Sequence, residues 1–426
     1  MVLTKNNTKR VKNIFFVSAN IAAFLFFAFF LSLRSMHSVA MALTLCISIA
    51  SFYLWRKTSP ARNVRILALF FLFLAIFWSN SFDGWMAWST EGDYFIKYSL
   101  GAVCMLAVCA LGIHPRVLAY AVAVGCISSG VLALVEFPVS GRAAGFTNAI
   151  RFGNIAVILS IASWLLASAN VFLKPERLFF LFAGCMGVVA SLLSLSRGGW
   201  IFLLTIPFLF LFFTEEIKIK IKIMFALGVV AGILGLVILQ IPATQDRILL
   251  AEKEVAGYFS NKDAYVGTSV GVRLEQWKMG LRLGAEKPLT GWGDKGIQEG
   301  KKWLVEQGYI DPSALSIPHT HNDLIEMWAA RGIIGVLFIL SIYIIPAYLF
   351  FPSRKIISEV DEKNKSLYIA LHLIGFIIPT GYFVFGWTDV FFNLSIGHNF
   401  YIFSMIFILA TIQWVKNSQT LVPRHE

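Results

Sequence analysis

Charge is what this chain has least of. Only 14% of its 426 residues are charged and 58% are hydrophobic, whereas soluble domains carry about 25% charged residues. An ordinary soluble globular domain is therefore excluded. The apolar runs do not alternate with polar residues in segments of roughly ten, which argues against a transmembrane β-barrel. The five cysteines (Cys46, Cys104, Cys109, Cys126 and Cys185) lie inside apolar runs and form no CxxC pair. Neither a disulfide framework nor a metal site is indicated, and packing is their expected role. The sequence also lacks a P-loop, an HExxH motif and a paired-carboxylate cluster typical of metal-dependent glycosyltransferases. It has no internal repeat and no low-complexity tract.

What the chain has in abundance is apolar sequence in pieces of membrane-spanning length, about 20 residues each. Irregular backbone at membrane depth leaves its polar groups unsatisfied, so these pieces are expected to be helices. Twelve candidates follow one another: 14–33, 38–55, 64–80, 95–113, 117–136, 152–173, 178–196, 199–214, 222–241, 327–351, 367–386 and 394–415. The basic N-terminus (Lys5, Lys9, Arg10, Lys12) runs into a stretch too long for a signal-peptide core, so it reads as a retained first span. Lys and Arg accumulate in alternate connections: Arg56 to Arg65, His114 and Arg116, Lys174 and Arg177, Lys218 to Lys222, Arg354 to Lys365, and Lys416 with Arg424. With twelve spans all of these fall on one side, which the positive-inside rule makes cytoplasmic. Much of the net charge of +12 is thus a topology signal, and nucleic acid is not an expected partner. Trp85 and Trp88, on the opposite side, fit an interfacial aromatic belt.

The expected fold is an all-α polytopic membrane protein in three parts. Spans one to nine occupy 1–241, a large outer loop occupies 242–322, and spans ten to twelve with a cytoplasmic tail occupy 323–426. Within the loop, 245–258 reads as a helix. So does 269–286, where Val270, Leu274, Trp277, Leu281 and Gly284 recur at helical spacing, with Arg273, Lys278 and Arg282 off that stripe. Such a helix is suited to rest on a membrane surface. Pro288-Leu-Thr-Gly291-Trp-Gly293 then makes a turn.

The loop closes on Pro318-His319-Thr320-His321-Asn322. An imidazole with an ordinary pKa of roughly 6.5 suits proton transfer near neutrality, although a lone boundary histidine is more often an interfacial or capping residue. Asn322 or Asp323 is placed to cap the following helix. Gly332 and Gly335, about three and four turns beyond His321, form a stripe for close approach of a neighbouring helix. The same outer face carries Arg142, Arg151, Arg197 and Arg273 without obvious acidic partners. Snorkelling or solvation is the bland explanation of each. Taken together they make an anion site, since the planar guanidinium donates in pairs to phosphate and stays charged.

These pieces resemble a known family. His321-Asn322, nine residues, Gly332, two residues, Gly335 is similar to the signature of the O-antigen ligase and polymerase superfamily of bacterial inner-membrane proteins. Ser269-x3-Arg273-x3-Trp277 with Pro288-x2-Gly291-x-Gly293 resembles the stretch those proteins carry in their large periplasmic loop. Arg142-x2-Gly145 and Ser196-Arg197-Gly198 resemble two further family sites, so the likeness covers roughly 140–340. The resemblance implies an inverting, metal-independent and cofactor-free glycosyltransferase. It implies a glycan donor on undecaprenyl pyrophosphate, a lipid A–core acceptor, and an active site on the periplasmic side of the inner membrane. On that reading His321 is the general base, while Arg273 and Arg197 stabilise the departing pyrophosphate. Arg142 and Arg151 help bind it, and Asn322, His319, Trp277, Gly332 and Gly335 support the site. O-antigen polymerases and protein O-glycosyltransferases share these motifs. A twelve-span transporter or flippase is the rival from another class, although the expected paired halves are missing.

Overall fold

The computed structural model describes residues 5–79, 90–210, 232, 242–260, 265–312, 315, 319–393 and 395–419. The expected ninth span, the loop with Trp85 and Trp88, and Pro318 lie outside these residues. The described parts of the apolar runs form helices, with no strand among the described residues. The fourteen longer helices are α1 (Lys5–Phe29), α2 (Met36–Ala50), α3 (Arg62–Ser79), α4 (Thr90–Leu111), α5 (Pro115–Ser140), α6 (Ala149–Ala167), α7 (Lys174–Leu193), α8 (Arg197–Phe210), α9 (Pro242–Ser260), α10 (Ser269–Glu286), α11 (Gly293–Glu306), α12 (Asp323–Phe350), α13 (Glu362–Phe385) and α14 (Ser395–Gln419).

Eight described helices (α1, α4–α7 and α12–α14) are long and apolar enough to cross a membrane. The chain is an all-α polytopic membrane protein. Helices α2, α3 and α8 cover the second, third and eighth expected segments. Exposed Ile21, Leu69, Ile76, Val135, Leu178 and Ile344 give the bundle an apolar outer surface, as helices facing lipid require. Helix α6 is the most enclosed span, with 94% of its apolar window buried. It packs on α7, α13, α5 and α8. Its polar residues Arg151, Asn154, Ser160 and Ser163 are therefore buried in protein, where partners can satisfy them.

The described residues of the polar segment include three longer helices, α9 to α11. The expected bounds of α10 agree with the structure, and α11 is an additional element. Thr268 caps α10 by accepting from the Gly271 N–H at 3.2 Å. The buried face of α10 differs from the expected stripe. Leu281 is exposed, whereas Glu275, Gln276, Met279 and Leu283 are buried. Met279 and Leu283 share a small core with Ile297, Leu304 and Ile310 of the loop and with Ala329 and Ala330 of α12. Glu275 tolerates burial because it accepts from the Tyr258 hydroxyl and from the Asp311 N–H at 3.0 Å. Helix α10 is thus packed onto α12 and α11 by a face other than the expected stripe.

The two glycines of α12 also do something other than expected. Gly332 has φ 58° and ψ −150°, a break inside the helix. In a regular helix the Ile333 N–H would donate to the Ala329 carbonyl. Here it donates to Pro288 O at 2.8 Å, and Ala329 O accepts from the Trp292 N–H at 3.0 Å. The 288–293 turn is inserted into the break and takes over both groups. A Cβ on Gly332 would lie 2.5 Å from Pro288 O, and one on Gly291 would lie 2.3 Å from the Ala330 carbonyl carbon. A Cβ on Gly335 would meet Met327 O at 2.5 Å. The pair therefore permits a kink within α12, and the proposed approach of a neighbouring helix at a glycine stripe does not occur.

Candidate active site

The break in α12 fixes the loop helices beside its N-terminus, where the histidines lie. His321 is not helical. It precedes the cap residue Asn322, whose Oδ1 accepts from Leu324 N at 3.0 Å and Ile325 N at 3.1 Å. His321 adopts φ 56°, a left-handed conformation uncommon for a residue with a Cβ and worth about 1–3 kcal/mol of strain. Surrounding contacts hold it there. Thr320 donates its N–H to Glu326 Oε2 at 2.7 Å and its hydroxyl to Asn322 O at 3.0 Å. The Asp323 N–H donates to Gly386 O at 2.8 Å, and Asp323 Oδ2 accepts from the Tyr343 hydroxyl at 2.7 Å. The 319–323 segment is thereby joined to the 386–391 connection between α13 and α14.

That connection supplies Asp389, which the sequence reading did not single out. His321 Nδ1 lies 3.5 Å from Asp389 Oδ1, and Arg151 Nη2 lies 3.5 Å from Asp389 Oδ2. Arg151 also donates to Val390 O at 2.8 Å, and its guanidinium lies 5.6 Å from the centre of the Phe391 ring. The expectation of arginines without acidic partners is corrected here. Arg151 is only 3% exposed, and its guanidinium is engaged by the very connection that carries Asp389. It is turned towards that carboxylate.

Burial alone would raise the Asp389 pKa. Hydrogen bonding to His321 and the charge of Arg151, with smaller contributions from His319 and His321, outweigh burial and hold it below the usual carboxylate value. His319 packs edge-on against His321 with ring centres 4.3 Å apart. Its pKa is pushed down by burial first and by His321 second. His319, His321 and Asp389 each offer one donor atom, all within 4.8 Å of one another. Among the described residues they are the group that could hold a divalent metal.

The remaining arginines approach from two other sides. Arg197 is the first residue of α8, after a short turn in which Leu195 has φ 54° and the Ser196 hydroxyl donates to Asn154 Oδ1 at 2.9 Å. A Cβ on Gly198 would come within 2.8 Å of Thr388 Oγ1, so glycine lets this turn approach the Asp389 connection. Arg197 is exposed. Arg273, on α10, is half-buried, and burial followed by the Arg197 charge pushes its pKa down, opposed by Asp389 and Glu254. Arg273 is thus within electrostatic reach of both Arg197 and Asp389. Trp277, one turn after Arg273, has a buried indole N–H without an acceptor among the described residues. Arg142 braces the turn before Arg197, donating from Nε to Ser194 O at 2.8 Å. Lys301 of α11, fully buried, faces the charge of Glu326 and was also absent from the sequence reading.

The arrangement offers an imidazole backed by a carboxylate, with guanidinium groups of α8 and α10 nearby. Its second ring nitrogen is the one left for a substrate proton. A carboxylate acting on Nδ1 fixes the tautomer and orientation that such a base needs.

Comparison with known proteins covers much of this assembly. Residues 178–340, from α7 into α12, match the family described as O-antigen ligase. Arg197, Arg273, His321, Gly332 and Gly335 lie inside this segment, while Arg142, Arg151 and Asp389 lie outside. An uncharacterized protein of Haemophilus influenzae is 26% identical over 244 residues, covering 56% of this chain and 60% of that protein.

Proposed function

From a membrane protein with an O-antigen ligase segment, we propose a metal-independent, inverting glycosyltransferase of the bacterial inner membrane with its active site facing the periplasm. The donor is an O-antigen glycan on undecaprenyl pyrophosphate, and the acceptor is a hydroxyl of the lipid A–core oligosaccharide. His321 takes the proton of that hydroxyl through the ring nitrogen turned away from Asp389. The oxygen attacks the anomeric carbon from the face opposite the pyrophosphate. The bond to the pyrophosphate oxygen breaks, and its electron pair leaves with that oxygen. Arg273 and Arg197 stabilise the charge developing there, which is the larger electrostatic part of such a barrier. Arg142 positions the turn that presents Arg197, and His319 and Asn322 hold the His321 loop. Asp389 and Arg151 orient the base. No step requires a cofactor.

The observation that carries this reading is the meeting of His321, Asp389 and Arg151, which are distant in sequence, beside Arg273 and Arg197. The test is reconstitution of purified protein with lipid-linked glycan and lipid A–core, without ATP or an ion gradient. Wild type is expected to form capped lipopolysaccharide, and His321→Ala to lose about 10²–10⁴-fold in rate while remaining folded. Full activity of the folded variant would remove His321 as base. A product in which one lipid-linked glycan extends another would instead mark a polymerase.

A further inference from the structure

At the end of the bundle away from His321 lies a cavity of about 840 Å³, formed by the start of α1, the α4–α5 connection and the end of α14. Helix α14 begins next to the Asp389 connection, and Trp414, in the cavity wall, lies about 28 Å further along it at 1.5 Å per residue. The cavity is within the size range of small-molecule pockets. Its lining contains Lys9, Arg10, Lys12 and His114 and, among the described residues, no carboxylate. No described residue forms an ion pair with the three N-terminal cations. His114 Nδ1 accepts from the Arg116 N–H at 3.2 Å, which leaves Nε2 as the donor of the neutral ring. The rest of the wall is apolar, with Phe16, Leu111 and Trp414 among its residues. Trp414 is braced edge-on by His114, ring centres 4.8 Å apart. Along α1 this wall continues into exposed Ile14, Val17 and Ile21, a strip that faces lipid.

We propose that this cavity binds the phosphodiester headgroup of an anionic phospholipid, with an acyl chain lying along the Val17–Ile21 strip of α1. Two features favour a lipid over a free anion: the apolar wall and its continuity with the bundle's lipid-facing surface. The side also fits, because the Lys and Arg distribution makes it cytoplasmic, where anionic lipids attract basic segments. Each basic side chain near such a surface is worth roughly five-fold in affinity, so three give on the order of 100-fold over a zwitterionic lipid. The site is independent of glycan transfer.

Full-length protein in nanodiscs of phosphatidylcholine with graded phosphatidylglycerol, followed by native mass spectrometry of the lipids it retains, tests this. Wild type is expected to retain phosphatidylglycerol in large excess over its share of the nanodisc. Combining Lys9→Ala, Arg10→Ala and Lys12→Ala is expected to reduce that preference by more than ten-fold. Because those changes also touch the topology signal, Ala110→Phe, which fills the cavity and leaves every charge, is the second variant and is expected to give the same loss. Equal retention of the two lipids by wild type, or unchanged preference in either variant, overturns the proposal. So does complete displacement of the lipid by millimolar inorganic phosphate, which would identify a site for the free anion.

Discussion

Gly332→Ala is the substitution that most directly tests the interlock between loop and span. Alanine at φ 58°, ψ −150° enters a region essentially restricted to glycine, at about 1–3 kcal/mol. Its Cβ would stand 2.5 Å from Pro288 O and 2.6 Å from the Leu289 carbonyl carbon, so backbone must move and not merely a side chain. That movement endangers the Ile333–Pro288 and Trp292–Ala329 hydrogen bonds, each worth about 1 kcal/mol. The expected destabilisation is therefore about 3–5 kcal/mol. Thermal unfolding in detergent followed by tryptophan fluorescence would read it, and glycan transfer at a permissive temperature would report the displacement of Arg273. Gly296→Ala is the control. A Cβ there meets its nearest heavy atom, Trp292 Cβ, at 3.6 Å, and within α11 alanine is favoured over glycine by roughly 0.5–1 kcal/mol. Its stability is expected to hold or rise. Wild-type stability in Gly332→Ala, or an equal loss in both variants, would show that the inserted turn does not support the kink.

Asp389→Asn leaves Arg151 buried without its counter-charge and His321 without its orienting carboxylate. Transfer is expected to fall on the order of 10²-fold or more, with a stability loss of about 3–5 kcal/mol, and an unchanged rate in the steady-state assay would exclude the orienting role. Arg273→Lys keeps a positive charge but loses the fork, so transfer is expected to drop by about ten-fold or more, and retention of full activity would argue against paired donation to phosphate. Acidification is expected to lower the melting temperature. The folded pKa of Asp389 and that of His319 both lie below their ordinary values, so the unfolded chain binds more protons and stability rises with pH. The His319 contribution is lost as pH falls below about 6.5, and that of Asp389 as pH falls below about 4. A melting temperature that rises as pH falls from 7 to about 5 would contradict the His319 direction, and one that rises as pH falls from about 4 to about 2 would contradict that of Asp389.

Much of the architecture was legible because a bilayer makes hydropathy a direct record of helix position. The bounds of α10 were equally plain, since Thr268 caps it and the apolar period runs on without a breaker. Its buried face was not. Glu275 and Gln276 look solvent-facing by composition, and their burial depends on Tyr258, Asp311 and α12, partners that no helix-by-helix reading supplies. Gly332 and Gly335 invited a packing interpretation for the same reason, because the groups that fill the kink come from the distant 288–293 turn. Asp389 left a usable signal, a carboxylate in a short connection on the face that carries the arginines. Its significance depended on a long-range pairing with Arg151, buried near the start of α6.

The family match ends within α12, yet Asp389 comes after it and Arg151 before it. An excised 178–340 piece would carry the histidine without the groups that aim it. Asp389 reaches His321 only from the connection between α13 and α14, so on the proposed reading the base is oriented only once the last two described helices have packed.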